Sequence, residues 1–507
     1  MPCVSVATPL EQSVTRRSAD CVSSHERLVG RTSRVPEVLL GLDVGTSSLK
    51  AGLFTLSGQV VGLAEAAYPL LTPEPGAMEQ DPRHWWAALI SVCRQLLGRD
   101  RPRVVALAIC GQAPSLVAVD TSLEPTHPAI TWLDQRPAAT AEHLYARLGQ
   151  VVPLWGSWPA QIAWFAQARP DALARSRWLM GCPDYLAARL TGEPTLMLAW
   201  PAAELDAARV DPRLVPPQST PGEIVGAVTS GAAEVTGLPP GTPVVAGFVD
   251  GIMGVLGSGV ERPGDACINS GTSGTFSVVA QPGTGYPVLG LDILGAATNT
   301  SGKALDWFAE RIARQEMPYD DLIAEAASVS PGAQGVLFLP HLAGERAPEP
   351  DPRSRGAWAG LTLEHDRGHL LRALLEGVAF SLRSVGEWLA LNGAQIGEVR
   401  CVGGQARSPL WNQIKADVLN RPLLVPEVVD AAVVGAAVLA ALAAGAYAGR
   451  QEAISHMVRI ARRFEPEPAT AARYEELYAA YRELYPALRQ THWRLHDFSR
   501  SGDPRAR

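Results

Sequence analysis

The sequence predicts an α/β protein built from two similar domains. Three observations carry that reading. The chain has 507 residues, which at about 100–200 per domain calls for two or three domains. Apolar strand patterns alternate with helical ones along it. A strand, Gly-Thr-Ser turn, strand unit also occurs twice, first around Asp43-Val44-Gly45-Thr46-Ser47 and again, 226 residues further on, around Asn269-Ser270-Gly271-Thr272-Ser273. An offset so close to half the ordered chain joins two domains of like fold; a solenoid would repeat every few tens of residues.

Composition narrows the class. Apolar residues make up 47% and charged residues 19%, the profile of a globular enzyme rather than a disordered chain. The 47 glycines and 41 prolines have no collagen-like period and imply many tight turns. A net charge of −7 without charge blocks gives no basic face for nucleic acid, while small anionic ligands remain compatible. Cys3, Cys21, Cys93, Cys110, Cys182, Cys267 and Cys401 are odd in number, widely spaced and free of any CxxC pair. They indicate neither a disulfide framework nor a zinc knuckle, and a reduced, cytoplasmic setting is expected.

In chain order, residues 1–36 carry Arg16, Arg17, Arg27, Arg31 and Arg34 among polar residues, with no apolar stretch of signal-peptide length, and read as a disordered tail. Glu11, Asp20 and Glu26 argue against a transit peptide. Val38–Leu42, Leu49–Phe54 and Gln59–Leu63 form a strand meander with glycine-containing turns. Asp81-Pro82 opens a helix through Trp85, Leu89, Val92 and Leu96, and Val104–Cys110 is a buried strand. Pro239-Pro240-Gly241-Thr242-Pro243 marks the domain junction ahead of the strand Val244–Gly247. The domains expected are 37–246 and 247–495, with a frayed tail from 496 to 507. Helices follow at Leu370–Leu391 and Leu410–Leu419, and a last amphipathic helix runs from Tyr474 through Tyr485. Ala431 to Gly449 runs 19 residues without a charge. Its branched aliphatics are only Val433, Val434, Val438, Leu439 and Leu442, so it reads as a buried, closely packed helix and not a membrane span.

Several groups could carry chemistry. Two Gly-Thr-Ser turns facing each other would cradle phosphate oxygens with backbone N–H groups and hydroxyls. Asp43 beside the first turn suits Mg²⁺, which takes few carboxylates and keeps much of its water. Asp250 ends a buried apolar strand and is either a helix N-cap or a general base. Gly403-Gly404 lies between a strand and a helix, where a flat ring could rest on bare backbone near a helix N-terminus. Trp132, Asp134 and Arg136 offer an aromatic face, a carboxylate and a guanidinium within five residues. Eight of the 13 tryptophans precede residue 201, Trp155, Trp158 and Trp164 among them, consistent with either a polyol site or an aromatic core. His365 and His369, four apart with Gly368 between, read as a helix start rather than a zinc pair.

Taken in order over residues 37–490, these motifs resemble the FGGY family of carbohydrate kinases, within the actin-like ATPase superfamily, and its xylulokinase-like branch. They include Gly41-Leu42-Asp43-Val44-Gly45-Thr46-Ser47, Glu79-Gln80-Asp81-Pro82, Trp132-Leu133-Asp134-Gln135-Arg136, Gly247-Phe248-Val249-Asp250, Ser270-Gly271-Thr272-Ser273, Leu342–Pro348 and Gly403–Trp411. The resemblance implies two ribonuclease-H-like domains around a central cleft, sugar held mainly by the first and adenosine by the second. It implies ATP and Mg²⁺ as cofactors, Asp250 as catalytic base and Asp43 as the metal-side carboxylate. Gly45, Thr46, Ser47, Lys50, Gly271, Thr272 and Ser273 become phosphate contacts; Gly403, Gly404, Ser408 and Asn412 lie by the adenosine. Gln112, Ala113, Trp132, Asp134 and Arg136 join Asp250 around the sugar. Many xylulokinases have Met-His where this chain has Ala113-Pro114, the segment Glu193–Pro221 is short and irregular, and Asp430 replaces a common glutamate.

The function this implies is ATP-dependent phosphorylation of a sugar or polyol hydroxyl, with a ketopentose such as xylulose as the leading substrate. Alternatives are a kinase acting on gluconate, ribulose or a small polyol, a catalytically silent sugar sensor, and a nucleotide-dependent switch. The partner expected is a small molecule, with no nucleic acid and no membrane, and a homodimer is an open option.

Overall fold

The computed structural model describes residues 36–98, 102–150, 157–197, 200–313 and 318–501. The tail reading for residues 1–35 and Trp155 lie outside them. The first lobe is built on a six-stranded sheet of β1 (Glu37–Val44), β2 (Ser48–Thr55), β3 (Val60–Ala67), β4 (Arg103–Gly111), β5 (Ile224–Ala227) and β6 (Pro243–Val249), ordered β3-β2-β1-β4-β6-β5. β1 to β3 form the antiparallel meander, β4 and β6 run parallel to β1, and β5 is an antiparallel edge. In β1, Val38, Leu39, Leu40, Leu42 and Val44 are all buried, so both of its faces are covered, which is why the strand reads as an unbroken apolar run. Edge strand β3 instead exposes Val61 and Leu63 while Ala64 points inward.

The second lobe repeats the plan with β7 (Ala266–Ser270), β8 (Gly274–Val279), β9 (Tyr286–Val288), β10 (Leu291–Thr298), β11 (Val399–Val402), β12 (Leu423–Pro426) and β13 (Ile460–Phe464), ordered β9-β10-β8-β7-β11-β12-β13. Again an antiparallel meander, β7-β8-β10, continues into parallel strands β11 and β12. The repeat seen in sequence is therefore a repeat of topology. β1 and β7 end at Val44 and Ser270, and β2 and β8 begin at Ser48 and Gly274, at the same spacing. The fold is two ribonuclease-H-like domains around a central cleft.

Helix starts follow their caps. Asp81 accepts the Arg83 amide with Pro82 at the first position of the helix Pro82–Leu97, whose Trp85, Leu89 and Val92 are buried. Asp366 caps the helix Arg367–Leu391 and bonds His369. The His365 and His369 rings stand 5.2 Å apart at this helix start, and no cluster of three metal-ligating side chains occurs among the described residues. The final helix is longer than its sequence reading. It spans Pro468–Ser501, runs past Phe498, contains Pro486 and buries Tyr474, Tyr478 and Tyr481 against the second lobe. Residues 502–507 lie outside the described residues.

The alanine-rich helix is shorter than the charge-free run. It spans Ala431–Ala443 and closes at Ala444 before Gly445, which has φ 67°. Every residue from Ala431 to Ala441 is buried. Leaving β12 of the second lobe, it packs on β1, β4 and the helix Asp250–Gly257 of the first. Small residues allow backbone to meet backbone there: a methyl at Gly41 would overlap the Val433 carbonyl, one at Gly257 the Ala431 carbonyl, and one at Gly435 the Met253 carbonyl. No described helix is long and apolar enough to cross a membrane. Inside a helix, alanine is ordinarily favoured over glycine by about 1 kcal/mol. Gly435→Ala is nevertheless expected to destabilise the protein by about 1–3 kcal/mol, because the added methyl meets a carbonyl that cannot move without its helix. Urea unfolding should show a lower midpoint at unchanged slope.

Candidate active site

The first Gly-Thr-Ser turn is pinned from below. The Gly45 amide donates to the Ser48 carbonyl at 3.0 Å, and the Gly45 carbonyl accepts from Tyr68 at 2.5 Å and from Gln112 Nε2 at 3.3 Å. Gln80 Nε2 donates to the Thr46 carbonyl at 2.6 Å, Trp132 Nε1 to Thr46 Oγ1 at 3.0 Å, and Gln112 Nε2 also to Gln80 Oε1 at 2.7 Å. With its carbonyls tied down, the turn leaves Thr46 partly exposed and Ser47 exposed. The second turn is held in the same manner. The Gly271 carbonyl accepts from the Gly302 amide at 2.9 Å, and the Thr272 carbonyl accepts from the Ser301 amide at 3.0 Å and the Lys303 amide at 3.2 Å. Gln405 Nε2 donates to Ser301 Oγ at 2.7 Å, tying this turn to the loop after β11. Gly271 and Thr272 are exposed and Ser273 is half-buried.

Two carboxylates interact beside the first turn. Asp43, near the end of β1, lies in register with Lys50 on β2 and Cys110 on β4. Asp250 is the first residue of the helix Asp250–Gly257, one position inside the cap, and accepts the Gly251 amide at 2.6 Å. Each keeps a partly exposed edge, yet the protein crowded around them disfavours the charged forms. Burial, then the charge of Asp250, pushes Asp43 up to about 8, with Asp430 adding to the rise and Lys50 opposing it. Burial likewise raises Asp250. Two all-oxygen donors of like charge fit a divalent cation that takes one or two carboxylates and completes its shell with water and phosphate, as Mg²⁺ does.

Around the loop after β11, Gly403 has φ 84° and donates its amide to the Val429 carbonyl at 2.7 Å; a methyl there would crowd the Ser270 carbonyl and Asn269 Oδ1. Gly404 is exposed. Ser408 caps the helix Pro409–Leu419 through the Trp411 amide. Asn412 is buried beneath the loop; its Nδ2 donates to the Ala406 carbonyl at 2.8 Å, while its Oδ1 meets no donor among the described residues. Lys50 and Arg407 both donate to Asp430, each at 2.6 Å.

On the remaining wall, Trp132 and Ala113 are half-buried beside buried Gln112. Asp134 and Arg136 are brought together with each other. The enclosed Asp134 carboxylate accepts the Met78 and Arg136 amides and the Arg136 guanidinium. Arg136 also donates to Glu79 and Glu74, both at 2.6 Å, and stacks on Trp164. Of the tryptophans, Trp85 and Trp200 are core residues, and Trp158 stacks on Trp200. The described part of the segment Glu193–Pro221 holds the short helix Ala202–Ala207, the 3-10 turn Pro212–Leu214 and a single bridge between Leu196 and Gln218. Sequence reasoning passed over Tyr68, Gln161 and Lys415. Gln161 Nε2 faces the carbonyls of Pro114, Ile130 and Thr131 at 3.2–3.5 Å, and its Oε1 meets no donor among the described residues. Its signal was a lone amide within the apolar run Trp158–Trp164. Lys415, wholly buried, reaches Ser270 Oγ at 3.3 Å beneath the second turn.

A fold of this topology with paired Gly-Thr-Ser turns is that of an actin-like phosphotransferase, and comparison with known proteins gives the family. Residues 38–257 match the N-terminal domain of the FGGY family of carbohydrate kinases and residues 266–444 its C-terminal domain. The chain is 31% identical to a gluconokinase of Bacillus subtilis over 489 residues, covering 87% of this chain and 94% of that protein. It is 30% identical to a xylulose kinase of Lactococcus lactis over 475 residues, covering 87% and 95%. The crystal structure of xylulose kinase from Rhodospirillum rubrum superposes with a TM-score of 0.77 at 30% identity, over 90% of this chain and 99% of that one. The chain belongs to the FGGY family of carbohydrate kinases and is an ATP-dependent sugar kinase.

The raised Asp43 carboxyl has a consequence for stability. Between its ordinary value of 3.8 and about 8, the folded state holds a proton there that the unfolded state has lost, so this group's contribution to stability falls as pH rises through that window. Asp43→Asn removes the effect. Relative to the native protein, the variant should gain stability progressively from pH 4 to about 8 and level off above, as measured by urea unfolding in metal-free buffer at several pH values.

Proposed function

We propose that this kinase phosphorylates a hydroxyl of a neutral ketopentose such as xylulose, with Asp250 as the general base. MgATP, when bound, supplies the transferable phosphoryl group. Asp43 stands on the metal side, and Gly45, Thr46, Ser47, Lys50, Gly271, Thr272 and Ser273 receive phosphate oxygens. Gly403, Gly404, Ser408 and Asn412 form the adenosine wall, where bare backbone lets a flat ring approach. Asp250 takes the proton of the attacking hydroxyl. Its raised pKa favours that task, since a base works best when its proton affinity lies near the working pH. Closing the two lobes would keep water from competing with the sugar as acceptor.

The substrate choice rests on one observation, the charge of the wall that carries Gln112 and Trp132. Its guanidiniums, Arg136 and Arg169, are already paired with Glu74, Glu79 and Asp134, so three carboxylates face two cations. An aldonate carboxylate would find both of these guanidiniums already paired. A neutral polyol would meet the buried Gln112 and Gln161 side-chain carbonyls, which have no donor among the described residues, and the Trp132 ring. Pro114 stands where an imidazole would otherwise contact sugar, with the small Ala113 before it.

ADP release with MgATP over a panel of ketopentoses, aldonates and small polyols tests this reading. Xylulose is expected to exceed gluconate at least about tenfold in kcat/KM, a difference of about 1.4 kcal/mol in transition-state binding. Gluconate ahead of every ketopentose would instead align the chain with its gluconokinase relative. Asp250→Ala should melt like the native protein and lose at least about 10²-fold in turnover; near-normal turnover would remove Asp250 from its role.

A further inference from the structure

Asp430 has no part in the reaction as described above, and its bonding is unusual for its position. It stands at the start of the helix Ala431–Ala443, where an aspartate ordinarily accepts a first-turn amide, yet its side chain makes no capping bond. Its two oxygens divide instead between two cations: Oδ1 accepts from Lys50 Nζ and Oδ2 from Arg407 Nη2, each at 2.6 Å. Lys50 belongs to β2, three residues past the first Gly-Thr-Ser turn, while Arg407 belongs to the loop after β11 that carries Gly403 and Gly404. One carboxylate therefore holds a cation from each lobe.

Lys50 has other acidic neighbours. Asp43 is its register partner on β1 and Glu65 its partner on β3, but Glu65 accepts the Ser48 hydroxyl and the ammonium turns to Asp430. The carboxylate is the most enclosed member of the trio, its side chain 15% exposed against 29% for Lys50 and 57% for Arg407. The acid is at the back and the cations reach forward. Each cation keeps further N–H groups beyond the one given to Asp430, since an ammonium has three and a guanidinium five.

We propose that Asp430 is a positioning residue that sets Lys50 and Arg407 on opposite walls of the cleft to receive the phosphates of the nucleotide. The proposal rests on the reading of Lys50 as a phosphate contact. Both side chains are long and flexible, and a cation already ordered by a carboxylate does not have to be ordered again when phosphate arrives. A carboxylate that only competed for the two cations would act with the opposite sign, because its removal would free them and tighten nucleotide binding.

Calorimetric titration without sugar separates the two. The ligands are MgADP and adenosine, the proteins native, Asp430→Asn and Asp430→Glu, and thermal melting is run beside each. Asp430→Asn is expected to weaken MgADP by about 5–20-fold and leave adenosine within about twofold, with Asp430→Glu recovering most of the loss. In the coupled assay KM for MgATP should rise by a similar factor while KM for sugar stays level. Unchanged or tighter MgADP binding overturns the proposal, as does an equal loss for adenosine. Should Asp430→Asn melt early, Arg407→Gln, at an exposed side chain, carries the same comparison: a loss confined to MgADP supports the positioning role, and no loss overturns it. Native protein that binds no MgADP overturns the kinase reading and this proposal with it.

Discussion

The arrangement depends on one close approach, that of the helix Ala431–Ala443 to β1 and to the helix Asp250–Gly257. At Gly41, Gly257 and Gly435 backbone meets backbone with no room for a methyl group. The contact joins an element that leaves the second sheet to two first-lobe elements, one carrying Asp43 next to its last residue and the other beginning with Asp250. A shift of that helix would move both carboxylates relative to the second turn. Close-packed interiors transmit such displacements instead of absorbing them. The alanine and glycine content that makes the helix look poor in sequence, with little apolar surface per residue, is what permits the approach.

On this frame sits a deliberate electrostatic conflict. Asp250 raises the cost of ionising Asp43, no bonded cation meets either carboxylate among the described residues, and the Lys50 ammonium is turned to Asp430. Like charges held together in a partly enclosed site destabilise the folded chain unless a proton or a metal intervenes. On the proposed reading such a site is tolerable because the same arrangement would receive a divalent ion and a hydroxyl proton. The turns around it carry the complementary feature. Their carbonyls are bonded backward to Gln80, Gln112, Tyr68 and the Gly302 and Ser301 amides, so negative dipoles point away from the place where phosphate would sit.

Much of this was legible in the sequence, for reasons that are local. β1 and β4 are buried on both faces, so their apolar runs are continuous. Asp81, Asp366 and Ser408 cap helices with their own neighbours, and the repeated turn keeps its spacing from one lobe to the other. What could not be read depends on distant partners. Asp134 and Arg136 look like a pair reaching for a ligand until Glu74 and Glu79 are placed beside them, and nothing within five residues of Arg136 announces those two acids. Asp430 looks like an ordinary helix start because Lys50, 380 positions earlier, leaves no trace in its neighbourhood. The ends of the alanine-rich and final helices were misjudged for a related reason. Packing of Tyr474, Tyr478, Tyr481 and Tyr485 on the core sustains the final helix up to Pro486, whereas the charge-free run after Ala443 is closed by Gly445 in the left-handed region.

These two kinds of residue mark a division in how the cleft works. Groups for the chemistry sit on backbone features common to both lobes, strand ends and tight turns, so a repeated sequence unit specifies them. The groups proposed to meet the substrate lie on the wall between β4 and the helix Trp158–Ala168, a segment outside the sheet order that the two lobes share among the described residues. There the side chains are held by long-range ion pairs. Exchanging Arg136 or one of its acids would leave a buried charge without its partner, which costs more than the pair contributes when intact. On the proposed reading, substrate preference on this wall is changed most cheaply at neutral positions such as Ala113 and Gln161, which do not belong to the ionic cluster. A family keeping one phosphoryl-transfer frame while its members act on different sugars needs that separation. Strong coupling inside the charged cluster, together with the weak coupling of the neutral positions to it, provides it.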